Sequence, residues 1–239
     1  MMPLIDENRV MVFHGLKEIN NNPRLGLRNF LKSKNNKVDE SKISFNIGPR
    51  INAAGRMKNG KIIVDLLVEE DPNKAMSLSN EVEFLNSKRR ATEKDVFENV
   101  VEKIDHSKYS NIIYGKNFST GVLGIVASRL IEKSYKPTII ITDFDENLLT
   151  GSVRSVSGFD VYGALIKCEK FLYQFGGHKF AAGIKIEKSK LNAFIEHFEK
   201  TVQESVDGIM FERNYKYDIE VPFSELTVKN VKLISRMSP

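Results

Sequence analysis

The spacing of apolar residues changes character along this chain, and each change marks a different kind of element. Val10 to Ile19 and Arg24 to Leu31 repeat apolar positions at helical intervals, with the breakers Asn20-Asn21-Asn22-Pro23 between them, so two short helices are predicted. Ser33 to Ser41 is polar and lysine-rich and reads as a loop. Gly48-Pro49, Ala53-Ala54-Gly55 and Asn59-Gly60 crowd turn-forming residues together and predict a segment outside regular structure. From Pro72 to about Ile104 Gly and Pro almost vanish. Ala75, Leu78, Val82 and Leu85, then Val96, Val100 and Ile104, fall at helical spacing in a highly charged background. One long helix, or two in sequence, is predicted there, with the narrow apolar stripe of a connector between lobes.

Beyond Tyr109 the rhythm becomes that of a sheet. Asn111-Ile112-Ile113-Tyr114 is a short apolar run, Gly121 to Glu132 a helix apolar almost all round, and Pro137 to Thr142 a β-branched strand. Strand, buried helix and strand suggest a parallel crossover unit. A strand at Leu148 to Arg154, a helix at Val161 to Leu172 and a strand at Ala182 to Ile186 follow. Lys188 to Val206 is an amphipathic helix with Leu191, Phe194, Ile195, Phe198 and Val202 on one face. Tyr215 to Val221 alternates like the opening strand of something new. The fold class is therefore α/β, with a mixed sheet in the second half.

Composition narrows the function less than charge placement does. A single cysteine, Cys168, excludes an intrachain disulfide and suits a reducing compartment. No apolar run approaches the roughly 20 residues of a membrane span, and residues 1–7 have no signal-peptide pattern; a cytoplasmic protein without membrane contact is expected. The 36 Lys and Arg against 31 Asp and Glu give only a mild excess, but residues 1–60 hold 11 basic side chains to 5 acidic ones. A positive field on that segment suits a polyanionic partner, although a solvated basic face gives the same count.

Three short constellations could grip an anion. Gly48-Pro49-Arg50-Ile51-Asn52-Ala53-Ala54-Gly55-Arg56 and Phe175-Gly176-Gly177-His178-Lys179-Phe180-Ala181-Ala182-Gly183 set small residues beside a single cation, letting backbone approach a phosphate closely. In Gly151-Ser152-Val153-Arg154-Ser155 the strand period of two puts Ser152 and Arg154 on one face. Plainer readings stand beside these: Arg56 as a loop residue capping a neighbouring helix, Arg154 as a salt-bridging surface residue, and His178 as a structural histidine in a glycine turn. Asp143-Phe144-Asp145 resembles a metal-binding pair but follows a strand in turn-forming company, so a hairpin turn is expected. Asp105-His106 reads as a helix end, and His14 and His197 as surface residues. No histidine has a ligand at metal-binding spacing.

Taken together, these residues resemble the bacterial RecJ family, single-strand-specific 5′-to-3′ DNA exonucleases of the DHH phosphoesterase superfamily. The resemblance covers almost the whole chain. Pro3-Leu4 with Glu7-Asn8-Arg9 and Gly15-Leu16 resembles the stretch just after that family's last metal-binding aspartate, and Pro49 to Met57 its signature at the end of the phosphoesterase domain. Asn86, Arg89 and Arg90 match its connecting helix. Gly121 to Leu130, Gly151 to Ser155 with Gly158-Phe159-Asp160, and Gly176-Gly177-His178 with Ala181-Ala182-Gly183 resemble its DHH-associated domain. The Trp-His that usually precedes the Gly121 segment is Phe118-Ser119 here.

The resemblance implies a division into residues 1–72, a remnant of the phosphoesterase domain; 73–108, a connecting helix; 109–206, a DHH-associated nucleic-acid-binding domain; and 207–239, the start of a truncated OB-like barrel. It implies that Arg56, Ser152, Arg154 and His178, with Asn52, hold DNA phosphate. Complete relatives use Mn2+ or Mg2+ on aspartates and an Asp-His-His triplet; the chain starts just past the last of these, so neither catalytic nor metal-ligating residues are expected in it. The implied partners are single-stranded DNA and a separate chain carrying the metal lobe; a single-strand-binding protein is a further candidate, in the setting of DNA repair and recombination. Three other readings stay open: one chain of a split nuclease, a non-catalytic nucleic-acid-binding or scaffold protein, and another DHH phosphoesterase acting on short oligonucleotides or cyclic dinucleotides.

Overall fold

The computed structural model of the chain describes residues 3–31, 37–205, 213, 215 and 217–239. They fall into two compact units, Met1–Ser87 with Tyr215–Pro239, and Lys88–Asn214. The first is helical. α1 (Asp6–Asn21) covers the first stretch expected to be helical and continues through Asn20 and Asn21, while of the second only Leu25–Arg28 (α2) is helical; α3 (Glu40–Lys42) starts where Asp39 accepts a hydrogen bond from the Lys42 backbone N–H at 2.8 Å. Residues 33–36 of the expected loop lie outside the described residues.

The segment expected to stay irregular is helical. A π turn over Ile43–Ile47 runs straight into α4 (Gly48–Met57). Pro49 sits in the first turn of α4, where a missing N–H leaves no bond unmade, so the Gly-Pro pair opens a helix rather than preventing one. Ala53 and Ala54 are wholly buried, and packing outweighs the turn signal. Arg56 therefore stands in the last turn of a helix, not in a loop. α5 (Lys61–Val68) follows, and its Ile62, Ile63 and Leu66 join Phe30, Ile47 and Ala54 in the core of this unit.

The long charged helix is one element, α6 (Pro72–Val101). Its first half gives Val82 and Leu85 to the first core, and its second half gives Val96, Phe97 and Val100 to a core in the second unit. Burial thus switches partners along a single stripe, and exposed apolar residues off it, Met76 and Phe84, weaken the helix's overall amphipathic pattern.

The second unit is built on a five-stranded sheet of order β1-β2-β3-β5-β4. β1 (Asn111–Tyr114) and β2 (Thr138–Asp143) are parallel and joined through α7 (Leu123–Ile131). β3 (Leu148–Arg154), β4 (Gln174–His178) and β5 (Ala181–Glu187) complete the sheet by antiparallel pairing. Gly176-Gly177-His178, expected in a turn, lies on the edge strand β4, and the turn falls at Lys179-Phe180 instead. The expected helix at Val161 to Leu172 is α8 (Val161–Lys167) followed by a 3-10 turn at Glu169–Phe171; the chain departs from helical geometry at Cys168. α9 (Leu191–Ser205) buries Phe194, Phe198 and Val202, as its periodicity predicts; Val206 lies outside the described residues.

One face of the sheet is closed by α8 and α9, which pack on Ile139, Ile141, Leu149, Val153, Ile184 and Ile186. On the other face α7 and the end of α6 cover Ile113 and Ile140 of the first two strands, and α7 packs mainly against β2 and β3. Along β3 alternate residues are fully buried and half-exposed, and β4 is exposed at every position but Phe175. A step is left where α7 ends and bare sheet begins.

The strand expected at Tyr215 to Val221 is absent among the described residues. The alternation of Tyr215, Tyr217, Ile219 and Val221 is a β pattern, but a strand needs a neighbour for its N–H and C=O groups, and none pairs with it. The next elements are a 3-10 turn at Phe223–Glu225 and α10 (Val228–Ser235), capped by Thr227.

Candidate functional site

The register of β3, β5 and β4 decides which side chains meet. Arg154 lies opposite Ala181, and Ala181 opposite His178; Ser152 lies opposite Gly183, and Gly183 opposite Gly176. Directly opposed residues point to the same face, so Ser152, Arg154 and His178 all rise from the bare side of the sheet. Arg154 and His178 stand two strand spacings apart, about 10 Å between backbones. Between them the small residues Ala181, Gly183 and Gly176 make a floor, and a Cβ placed on Gly176 or Gly183 would meet open space.

The donor side chains around this floor are held in place. The Arg154 Nη1 donates to Ser152 Oγ at 3.1 Å and to the Val153 carbonyl at 2.8 Å. Its Nη2 lies over Gly124 in the first turn of α7, where an added Cβ would come within 2.4 Å of Nη2 and 2.9 Å of Ser152 Oγ. Gly124 thus makes room for the pair at the step. His178 Nδ1 accepts from the Phe180 backbone N–H at 3.3 Å. In the neutral ring that bond puts the proton on Nε2, as a donor. The neighbouring row Thr150-Lys185-Gln174 borders a shallow hollow of about 300 Å3 on the same face. The Lys185 ammonium stands 4.1 Å from the centre of the Phe144 ring and adds a further positive charge.

Asn52 and Arg56 form a separate pair in the other compact unit. They are one turn apart on the exposed side of α4, while Ala53 and Ala54 face the core. Arg50, at the start of the same motif, is used structurally: its guanidinium donates to both Glu83 oxygens, at 2.6 and 3.2 Å, and to Asn46.

The acidic residues that mimic a metal site have other duties. Asp145 accepts from the backbone N–H groups of Asn147 and Leu148 and shapes the β2–β3 turn. The Lys188 ammonium, 3.0 Å away, and the Tyr114 hydroxyl hold the Asp143 carboxyl below the usual range. Asp105 accepts from Ser107 N–H and Oγ just past α6. Among the described residues no group of three or more His, Cys, Asp or Glu side chains is placed to hold a metal ion.

Gly124 was not singled out as a site residue from sequence, although a glycine inside an otherwise apolar helix, costing about 1 kcal/mol against alanine, is a usable signal. The floor glycines Gly176 and Gly183 are visible in the motif, but only the strand register aligns them with Ser152.

A DHHA1 domain model matches residues 98–204, which spans this sheet and its helices. The chain is similar to the single-stranded-DNA-specific exonuclease RecJ of Bacillus subtilis, 28% identical over all of this chain and 31% of that protein. It is also similar to RecJ of Haemophilus influenzae, 30% identical over 98% of this chain and 43% of that protein. The chain thus spans less than half the length of these relatives. A crystal structure of RecJ with Mg2+ from Thermus thermophilus superposes with a TM-score of 0.79 at 29% identity, covering 85% of this chain and 32% of that one. A manganese-bound exonuclease RecJ gives 0.73, covering 84% and 51%.

Proposed function

Because this chain belongs to the RecJ family and carries that family's DHHA1 domain over residues 98–204, we propose that it holds the phosphate backbone of single-stranded DNA as part of a RecJ-type 5′-to-3′ exonuclease. The observation that carries the proposal is the Ser152–Arg154 pair, hydrogen-bonded at 3.1 Å beside Gly124 at the margin of the open sheet, on the same face as His178. A guanidinium offers a planar fork to phosphate oxygens, and the Ser152 hydroxyl and His178 Nε2–H add directional donors. The floor of Ala181, Gly183 and Gly176 lets a strand lie close to the backbone. Asn52 and Arg56 supply a second donor pair, on α4. Contacts of this kind fix where a strand sits without reading its sequence.

In a complete enzyme Mn2+ or Mg2+ supplies an activated water and stabilises charge at the scissile phosphate. The described residues offer no ligand set for such an ion, so the chain's own part is to hold the strand, and cleavage belongs to metal ligands beyond these residues. The chain by itself is inactive in this reading and works in the cytoplasm, with single-stranded DNA and the metal-bearing DHH lobe as partners.

Fluorescence anisotropy with a 5′-phosphorylated oligothymidine tests the proposal. Binding is expected to weaken steeply with added salt, through counterion release. Arg154→Ala should weaken it about tenfold at low salt, the order expected for a lost charge-assisted hydrogen bond. Equal affinity for the variant removes the open face from the site, and Mn2+-dependent degradation of the strand by the unmodified chain overturns the assignment of cleavage elsewhere.

A further inference from the structure

A second group of cations in the Lys88–Asn214 unit takes no part in the open face. Near the middle of α6 a cleft of about 520 Å3 is lined by Arg89, Arg90, Ala91, Glu93, Lys94 and, from α7, Arg129. Four cations and one carboxylate thus line the cleft. Glu93 is close to both flanking guanidinium groups, 2.6 Å from Arg89 Nη1 and 3.5 Å from Arg129 Nη1, and its side chain is 15% exposed. The Arg129 guanidinium also stacks 4.1 Å from the centre of the Phe97 ring. Arg90 and Lys94 extend into solvent, the latter with its ammonium 3.8 Å from Glu98.

Glu93 and Glu98 together leave an excess of positive charge around the cleft, and that excess favours an anion from outside. Carboxylate and aromatic ring hold the Arg129 fork in one orientation, so little side-chain freedom is lost when a ligand arrives. The cleft and the open face share one helix. Gly124, beside the Ser152–Arg154 pair, and Arg129 lie five residues apart on α7, about 7.5 Å of helix rise and about 140° around the helix axis.

We infer that this cleft is a second phosphate subsite, which takes the backbone of the same single strand a short way along from the nucleotide on the open sheet face. The inference rests on the reading of that face as a phosphate site, and it adds a direction: the strand crosses α7 towards α6.

Two lengths of ligand separate the subsites. A 5′-phosphorylated dinucleotide reaches only the open face, whereas a twelve-nucleotide strand reaches both. Arg90→Ala with Lys94→Ala removes two exposed side chains that the fold does not need, and an unchanged melting curve checks this. The double variant should bind the long strand roughly fivefold more weakly at low salt, with the slope of log affinity against log salt shallower by about 1.4, the value for two lost contacts to a single strand. It should bind the dinucleotide as the parent does, while Arg154→Ala weakens both ligands. Parental affinity and slope for the long strand, with Arg154→Ala still impaired, overturn the second subsite alone. Equal weakening of both ligands by the double variant also overturns it, because the cleft is then not a separate contact. If neither variant changes anything, the open face falls with it.

Discussion

The two faces of the β1-β2-β3-β5-β4 sheet come from the same strands and have opposite chemistry. One is covered from end to end: Ile139, Ile141, Leu149, Val153, Ile184 and Ile186 disappear beneath α8 and α9. On the other α7 packs mainly against β2 and β3, and the rows from β3 to β4 carry serine and arginine, then glycine and histidine. The first face contributes stability through burial of apolar area. The second keeps polar groups in reach of solvent at a fixed spacing, with Gly124 shaping the step. Alternation along each strand lets both coexist, since a residue and its neighbour never share a side. Rigidity from one face thereby positions donors on the other.

Three measurements test that contrast. The largest effect is expected on the covered side. Phe198→Ala, at a wholly buried position beside Phe194, should cost about 3–5 kcal/mol of stability in denaturant unfolding, while variant that remains folded still binds strand. A loss below about 1 kcal/mol would mean that α9 is not anchored as described. On the open side Gly124→Ala should do the reverse. The new methyl must displace the Arg154 guanidinium, a flexible end, so melting should stay close to the parent, and helix propensity offsets part of any strain. Affinity for single-stranded DNA should fall several-fold; undiminished binding would show that the placement of Arg154 over Gly124 is unimportant.

The smallest effect concerns Cys168, inside the covered face. Burial pushes its thiol up to about 11, so the folded protein keeps a proton that the unfolded chain releases near 9. Its contribution is complete below the unfolded value and lost as pH rises from about 9 through about 11. A thiol-modifying reagent at pH 8 should react slowly with native protein and rapidly once denaturant is added; equal rates would put Cys168 outside the core.

Much of the second unit was legible in advance because its signals are local. The β-branched run at Pro137 to Thr142 and the stripe of Phe194, Phe198 and Val202 have no competing interpretation, and β2 and α9 follow them. The Gly48 to Arg56 stretch misled because Gly and Pro break helices in most places but not in a first turn, a distinction that depends on what lies ahead of them. Tyr215 to Val221 misled for the opposite reason: its pattern is right, yet strand formation requires a partner that no local pattern supplies.

The amino-acid order alone determined that Ser152 and Arg154 share a side, since a period of two follows from strand geometry. It also predicted helix from Pro72 to about Ile104, because Gly and Pro are so sparse in that stretch, but left open whether one helix or two would form. Only the tertiary structure decided that His178 stands in the same row as Arg154, that glycines floor the rows between them, and that Arg129 meets Glu93. Those facts depend on the register of β5 against both neighbours and on which helix lies over which strand, and both are set by long-range packing.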